Sequence, residues 1–441
     1  MSTPSSEAVA NVGSFDVAIV GASLAGCTAA TLFARRGLRV ALLERQADPE
    51  ASKRICTHFI QPSATPTIER LGLTPAIEAA GGVRNALDVW SRFGWIRVAP
   101  ESADHALPYG YSIQRAKLDP LARGLASAES NVELVLGASA CGLRFADGEC
   151  RGVEMETRDG RRRVIAARLV VAADGRRSKV AELARVPARV RPNARAMYYA
   201  YYRDLPLPSG TRGQLWFLEP DVAYAYPNDD GLTLVAWAFG QDRVAAFKRD
   251  PEATFARRFA DLPLAPNLPA GTRVSPLLGQ LDLANLSRPA AARGLAFVGD
   301  AAMASDPLWA VGCGWAFQSA EWLVESTADA LATGRDLTPA LARYRRRHRA
   351  ELAGHHLMIA SYATGRALLP HERLFLSAAA RDPVTARRLA AFGERLIGPT
   401  GFVTPRTVGR ALGVVIGERL RKFGARSPVA SHTEVREALE G

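Results

Sequence analysis

Asp16-Val17-Ala18-Ile19-Val20-Gly21-Ala22-Ser23-Leu24-Ala25-Gly26 is a short apolar run that meets a glycine, turns, and continues into the small-residue stretch Cys27 to Arg36. It reads as strand, tight turn and helix. Gly37 stops the helix, and Leu38-Arg39-Val40-Ala41-Leu42-Leu43 supplies a second strand that ends at Glu44. Together they make one βαβ unit of about 30 residues, the unit that binds dinucleotides. Gly21 permits the sharp turn and Gly26 lets the helix lie close on the strand. The helix N-terminus around Ser23, Leu24 and Ala25 turns free N–H groups and a partial positive charge toward a pyrophosphate. Glu44 offers a carboxylate to both hydroxyls of an adenosine ribose and disfavours a 2′-phosphate. Ser23 stands where the fingerprint has its second glycine. Without a ligand, the same residues would be an ordinary βαβ unit.

The chain has 441 residues, of which 48% are hydrophobic and 23% charged. That is enough for two or three domains with a large core. The formal charge is +12, with arginines clustered at Arg161-Arg162-Arg163, Arg176-Arg177 and Arg345-Arg346-Arg347. The clusters are scattered and lack interleaved aromatics, so they read as a solvated surface and not as a nucleic-acid interface. The five cysteines, Cys27, Cys56, Cys141, Cys150 and Cys313, show no CxxC and no zinc spacing; no metal site is expected, and free thiols point to a reducing cytoplasm. Neither a signal peptide nor an apolar run of ~20 residues is evident, so a cytoplasmic protein without a membrane span is expected.

Lys53 to Pro62 leaves the first crossover and leads into a helix around Ser63 to Leu71, with Arg45 and Arg54 as candidate phosphate or ribose contacts. Residues 83 to 112 alternate as strands outside the nucleotide domain. Gln114 to about Ser127 is a helix. Val132 to Leu136, Gly142 to Phe145, Gly152 to Thr157 and Arg163 to Ala173 read as hairpins returning to the main sheet, which delivers Asp174-Gly175-Arg176-Arg177-Ser178 to a sheet end. Residues 190 to 285 carry Tyr198, Tyr199, Tyr201, Tyr202, Trp216, Phe217, Tyr224, Tyr226, Trp237 and Phe239 on alternating runs. They suggest a second, antiparallel sheet whose aromatics either wall an apolar substrate pocket or pack under helices. Gly294 to Asp300 is another buried strand ending in an acid. A loop with Pro307, Gly312 and Gly314 follows, then a helix from Trp315 to Leu331. Residues 338 to 425 are mostly helical, and the adjacent His355-His356 pair needs no ligand role. The basic amphipathic stretch Arg406 to Arg426 is expected to dock on the protein in preference to a membrane surface.

Three separated segments, Gly21 to Glu44, Ala173 to Ser178, and Gly299-Asp300-Ala301-Ala302 with the Pro307-to-Gly314 loop, together resemble the FAD-binding fingerprints of flavin-dependent aromatic hydroxylases and their halogenase and geranylgeranyl reductase relatives. The resemblance implies an α/β chain. A Rossmann-like FAD-binding domain would be assembled from residues 14–82, 110–188 and 286–335. An inserted antiparallel β-sheet substrate domain would comprise 83–109 and 189–285, followed by a C-terminal helical region, 336–425, with flexible ends at 1–13 and 427–441. It places Glu44 on the ribose, Arg115 near the FAD phosphates or ribitol, Ala140 against the cofactor, Asp174 behind it and Asp300 on the ribityl hydroxyls. Gly312, Cys313 and Gly314 would bring backbone N–H groups to the flavin pyrimidine. His58, whose segment should pass beside the flavin, is the candidate for substrate deprotonation. Met303 stands where hydroxylases of this group often have histidine, and the halogenases' paired tryptophans are missing where Tyr224-Ala225-Tyr226-Pro227 stands.

The implied reaction is reduction by NADH or NADPH, or by a separate flavin reductase, then capture of O₂ at flavin C4a. The resulting hydroperoxide would pass one oxygen atom to an electron-rich aromatic or unsaturated substrate, either a free small molecule or one borne on a carrier or peptide. A flavin dehydrogenase or reductase acting on a C–C bond, a halogenase and a non-catalytic FAD-carrying protein are the alternatives. Oligomeric state is open.

Overall fold

The computed structural model describes residues 10–99 and 108–424. Of the two ends expected to be flexible, only 10–13 fall within the described residues, and they open the first strand. That strand, β1 (Ala10–Val20), is followed by α1 (Leu24–Ala34) and β2 (Val40–Glu44). Helix α2 (Arg115–Ser127) leads into β3 (Val132–Leu136), and the parallel set is completed by β4 (Arg162–Ala172) and β5 (Leu295–Phe297). These five strands lie in the order β5-β4-β1-β2-β3 and every pair is parallel. Residues 17–20, 40–43 and 169–172 at their centre are apolar on both faces because helices cover one side and a hairpin the other, as a parallel sheet requires.

The hairpin expected after α2 is therefore confined to Ala138–Ala146 and Glu149–Thr157, whose second strand pairs antiparallel with β4. β3 is not part of it. From sequence a parallel neighbour of β2 reads as a hairpin arm because a short apolar run carries no mark of its pairing direction.

The second sheet is antiparallel through Arg195–Arg203, Leu232–Gly240, Val222–Pro227 and Gly213–Phe217, and the hairpin of Leu87–Ser91 and Gly94–Ile96 extends it. Its period-two alternation divides the aromatics between two jobs. Tyr198, Tyr202, Trp216, Trp237 and Phe239 pack under Phe247, Phe255 and Phe259 of two short helices. Tyr199, Tyr201, Tyr224 and Tyr226 face the rest of the molecule. The packing under helices is met on one face, and on the other Tyr224 and Tyr226 line an apolar cavity. Two short antiparallel ribbons stand apart from these sheets: Phe59–Ile60, Gly110–Ser112 and Val83–Asn85 form one, and Arg189–Arg191, Asn285–Ser287 and Met303–Ala304 the other.

A 22-residue helix, α3 (Val311–Ala332), packs on α1, and α4 (Thr338–Tyr362) packs on α3. Helices α5 (Pro370–Ala379), α6 (Pro383–Gly393) and α7 (Pro405–Gly424) follow. α7 docks on α5, with Arg410 ion-paired to Asp382 at 2.7 Å. Among the described residues no helix is long and apolar enough to cross a membrane.

Candidate active site

The turn after β1 is built as the residues demand. Gly21 has φ +106°, and a Cβ there would stand 2.5 Å from the Ala173 carbonyl oxygen. A Cβ on Gly26 would collide with the carbonyl oxygen of Gly21. One glycine supplies a conformation and the other a close approach. Ser23 is the N-cap of α1, and its hydroxyl accepts from Arg115 Nη2 at 2.6 Å. Serine in place of the second glycine thus ties the turn to a cation.

Glu44 ends β2 beside this turn. One of its oxygens accepts the Ala22 N–H and the other the Gln46 N–H, each at 2.9 Å. Leu24 and Ala25 of α1, Arg45, Arg54, Arg115, Ala140, Asp174, Asp300, Pro307, Gly312 and Cys313 line one cleft with the turn, of about 1210 Å³. Lys53, Arg123, Arg176 and Arg177 line it too. A long groove with two helix N-termini and this many cations suits a ligand with a pyrophosphate.

Arg115 is buried and paired with Asp119 at 2.6 Å. Asp174 accepts the Val180 N–H at 3.0 Å, and burial pushes its carboxyl above the usual range. Burial would do the same to Asp300, but Lys53 Nζ at 3.0 Å outweighs it and holds that carboxyl low. Lys53 escaped the sequence reading because its partner lies 247 residues away.

Gly312, Cys313 and Gly314 are not loop residues, since α3 begins at Val311. The strained residue is Ala310, which caps the helix with φ +49°. Gly312 is exposed to the cleft, and a side chain there would meet nothing within 4 Å. Gly314 is a correction: it is buried, and its Cβ would contact Ala64 at 3.7 Å, away from the cleft. The first-turn N–H groups of α3 have no intrahelical partner, and Gly312 and Cys313 in that turn line the cleft. The preceding loop is pinned by Asp306, whose carboxylate accepts the Leu308 N–H at 2.8 Å and pairs with buried Arg195 at 2.6 Å.

His58 is the second correction. It lies at φ +59°, buried, and lines neither the cleft nor the cavity described below. Its Nδ1 accepts the Arg115 N–H at 2.9 Å, which makes it a cap for α2. Burial lowers its pKa, so the ring stays neutral in that role. The positive φ turns the side chain inward and leaves Cys56 and Thr57 on the cleft. Cys56 Sγ lies 3.9 Å from Cys313 Sγ, and hydrogen bonding between them lowers the Cys56 thiol while raising that of Cys313. All five cysteines are free, and among the described residues no group of side chains could hold a metal ion.

A second cavity of about 260 Å³ adjoins the cleft. Its walls are apolar: Leu215, Phe217, Tyr224 and Tyr226 of the second sheet, Leu308 and Trp309 of the loop, and Ile359, Phe375 and Phe402 of the C-terminal helices. Thr57, Phe59, Pro307 and Ala310 line both spaces. The Tyr224 hydroxyl donates to the Leu308 carbonyl and that of Tyr226 to the Thr57 carbonyl, so the sheet holds both loops at the junction.

Residues 14–216 match the family described as FAD binding domain. The chain is 27% identical over 347 residues to digeranylgeranylglycerophospholipid reductase 2 of Methanothermobacter thermautotrophicus, covering 77% of this chain and 84% of that protein. It is 29% identical over 356 residues to kynurenine 3-monooxygenase of Salinispora arenicola, covering 74% and 75%. Its fold superposes on p-nitrophenol 4-monooxygenase of Pseudomonas putida with a TM-score of 0.72 at 20% identity, over 88% of this chain and all of that one. The cleft, the turn and these likenesses define an FAD-dependent oxidoreductase. Within that class the chain is similar to the flavin-dependent aromatic hydroxylases and to the geranylgeranyl reductases related to them.

Proposed function

We propose that the chain is a monooxygenase that inserts one oxygen atom from O₂ into an electron-rich aromatic or unsaturated substrate held in the apolar cavity. The observation that carries this reading is the junction, where four residues wall both the FAD cleft and the cavity. FAD, reduced by NADH, NADPH or a partner reductase, would supply the electrons and the activated oxygen. The residues of the chain bind, orient and exclude water. The positive end of α3 lies at the cleft and favours negative charge gathering there. Lys53 and Asp300 offer a donor and an acceptor to the cofactor's sugar-alcohol chain, and Glu44 an acceptor to its ribose. Tyr224 and Tyr226 fix the loops between cofactor and substrate, and the hydrocarbon walls keep water from the reacting atoms. With His58 occupied as a cap, no side chain is assigned to substrate deprotonation.

The test is turnover under ¹⁸O₂ with a reduced nicotinamide. One ¹⁸O atom per product molecule is expected, with nicotinamide consumed in step. Product formed equally well without oxygen would replace this reading with the reductase reading that the 27% likeness to a lipid reductase favours.

A further inference from the structure

Two thiols from distant parts of the chain meet on the wall of the large cleft. Cys56 and Cys313 are 257 residues apart in sequence, yet their sulfurs lie 3.9 Å apart and both residues line the cleft. Neither is engaged in a disulfide. Cys313 is 5% exposed in the first turn of α3, where its sulfur stands 3.9 Å from Arg115 Nη1. Cys56 is half-buried, and its sulfur accepts the His58 N–H at 3.2 Å. Hydrogen bonding to Cys313, assisted by the charges of Arg115 and Lys53, holds the Cys56 thiol well below its usual range in spite of burial. Cys56 is therefore the more nucleophilic of the two.

The backbone around Cys56 is free to follow its sulfur. Residues 51–58 form neither strand nor helix. The Lys53 N–H donates to Asp119 at 3.0 Å at one end of this segment, and Tyr226 holds the Thr57 carbonyl at the other. Between those anchors the sulfurs need to close by about 2 Å to reach bonding distance. The same segment carries the Lys53 ammonium that pairs with Asp300 at 3.0 Å in the cleft.

We propose that Cys56 and Cys313 are a modification site, joined by a peroxide in a reversible disulfide that opposes FAD binding. Hydrogen peroxide, the product a reduced flavin releases when it passes two electrons to O₂ and no substrate takes the oxygen, is the oxidant. The Cys56 thiolate attacks one peroxide oxygen, the O–O bond breaks, and the departing hydroxide takes a proton and leaves as water, so that Cys56 becomes a sulfenic acid. The Cys313 sulfur then attacks the Cys56 sulfur. Its proton leaves with the sulfenic hydroxyl as a second water, and the S–S bond forms. Two thiols and one peroxide give one disulfide and two waters, and a dithiol reductant reverses the change. The bond draws residues 54–56 onto the first turn of α3, displacing the cleft wall beside the Lys53 and Asp300 pair that the cofactor would use. By linkage, FAD and the bond weaken each other by the same factor. A flavoprotein that spends its reductant on peroxide would in this way lose its cofactor. The inference rests on FAD occupying the cleft and is independent of the reaction that the flavin performs.

The test equilibrates the full chain in glutathione redox buffers with and without saturating FAD, alkylates the free thiols, and maps the peptides by mass spectrometry. A peptide pair joined through Cys56 and Cys313 is expected. FAD should make that bond at least ten-fold easier to reduce, about 30 mV for a two-electron couple. Peroxide-treated protein should bind FAD at least ten-fold more weakly than reduced protein, and dithiothreitol should restore the affinity. Cys56→Ser and Cys313→Ser are each compared with themselves before and after peroxide, and FAD affinity should change less than about three-fold whatever its starting value. Absence of the joined peptide, equal potentials with and without FAD, or a loss of affinity that dithiothreitol does not reverse would overturn the proposal, and so would the same loss in either variant. Where a variant fails to fold, the wild-type reversal decides alone.

Discussion

Glu44 does two things at once, because the carboxylate that can accept from a ribose already holds the Ala22 and Gln46 N–H groups of the dinucleotide turn. Glu44→Ala should weaken FAD by roughly 1.5–3 kcal/mol, the worth of hydrogen bonds to a charged acceptor, or about ten- to 150-fold in Kd. Fluorescence titration of the apoprotein with FAD measures it, and an unchanged Kd would remove Glu44 from the ribose. At this scale the sequence was informative wherever a residue's job is local. Gly21, Gly26 and Glu44 sit within one βαβ unit, and their spacing alone states their roles. Lys53, Asp306 and Gln61 act on partners more than a hundred residues away, and no local pattern marks such residues. His58 misled for a related reason: passing near the cofactor segment is a property of the backbone, whereas the positive φ that turns its ring inward toward α2 is visible only in the fold.

Helix α3 shows how an element can be legible and its start not. Two glycines in three residues read as a loop, since each costs about 1 kcal/mol against alanine in a helix. Here packing against α1 and the segment before Thr65 overrides that propensity, and the helix begins four residues before Trp315. The consequence is a pair of glycines with opposite duties. Gly312→Val puts a branched side chain into open cleft, so it should cost FAD affinity ten-fold or more, while the apoprotein loses less than about 1 kcal/mol of stability. Gly314→Val presses on Ala64 instead, and overpacking of about 1–3 kcal/mol should lower the thermal midpoint with far less effect on FAD. Flavin titration beside thermal unfolding of both variants separates the two. A Gly312 variant with normal FAD affinity would take the helix start out of the cofactor site.

Over the whole molecule, the fold class and the segments that line the large cleft were readable because most of them carry their own strand-turn-helix signal, whereas the apolar cavity was readable only as half a wall. Its other walls come from residues 57–98, 307–310 and 358–403, and helical periodicity does not say which helix face closes a cavity. The same C-terminal helices govern how stability should depend on pH. His348, His355 and His356 on α4 are each 2% exposed. Burial, helped by Arg395 for the first two and by Arg191 for the third, lowers each pKa to about 4. In the unfolded chain each would titrate near 6.5, so between about pH 4 and 6.5 the unfolded state binds more protons and stability must rise with pH. Glu394 opposes this: its folded pKa of about 7 lies above the unfolded value, so through the same window the folded state holds its proton. For these four groups, three protons less one leaves a net slope approaching two protons, about 2.7 kcal/mol per pH unit, flattening above pH 7, to which buried His58, its pKa also lowered, adds and Asp174, its pKa raised, subtracts. Carboxyls held low by partners, Asp300 and Glu372 among them, add their own loss only at more acid pH. Urea unfolding of the holoenzyme from pH 7.5 to 5 should show this slope. Glu394→Gln should steepen it toward three protons and His348→Gln should cut it toward one. Stability that is level from pH 6.5 to 5 in the wild-type protein would mean that the three imidazoles take up protons as freely in the folded chain as in the unfolded one, and that α4 is not sealed by the helices that follow it.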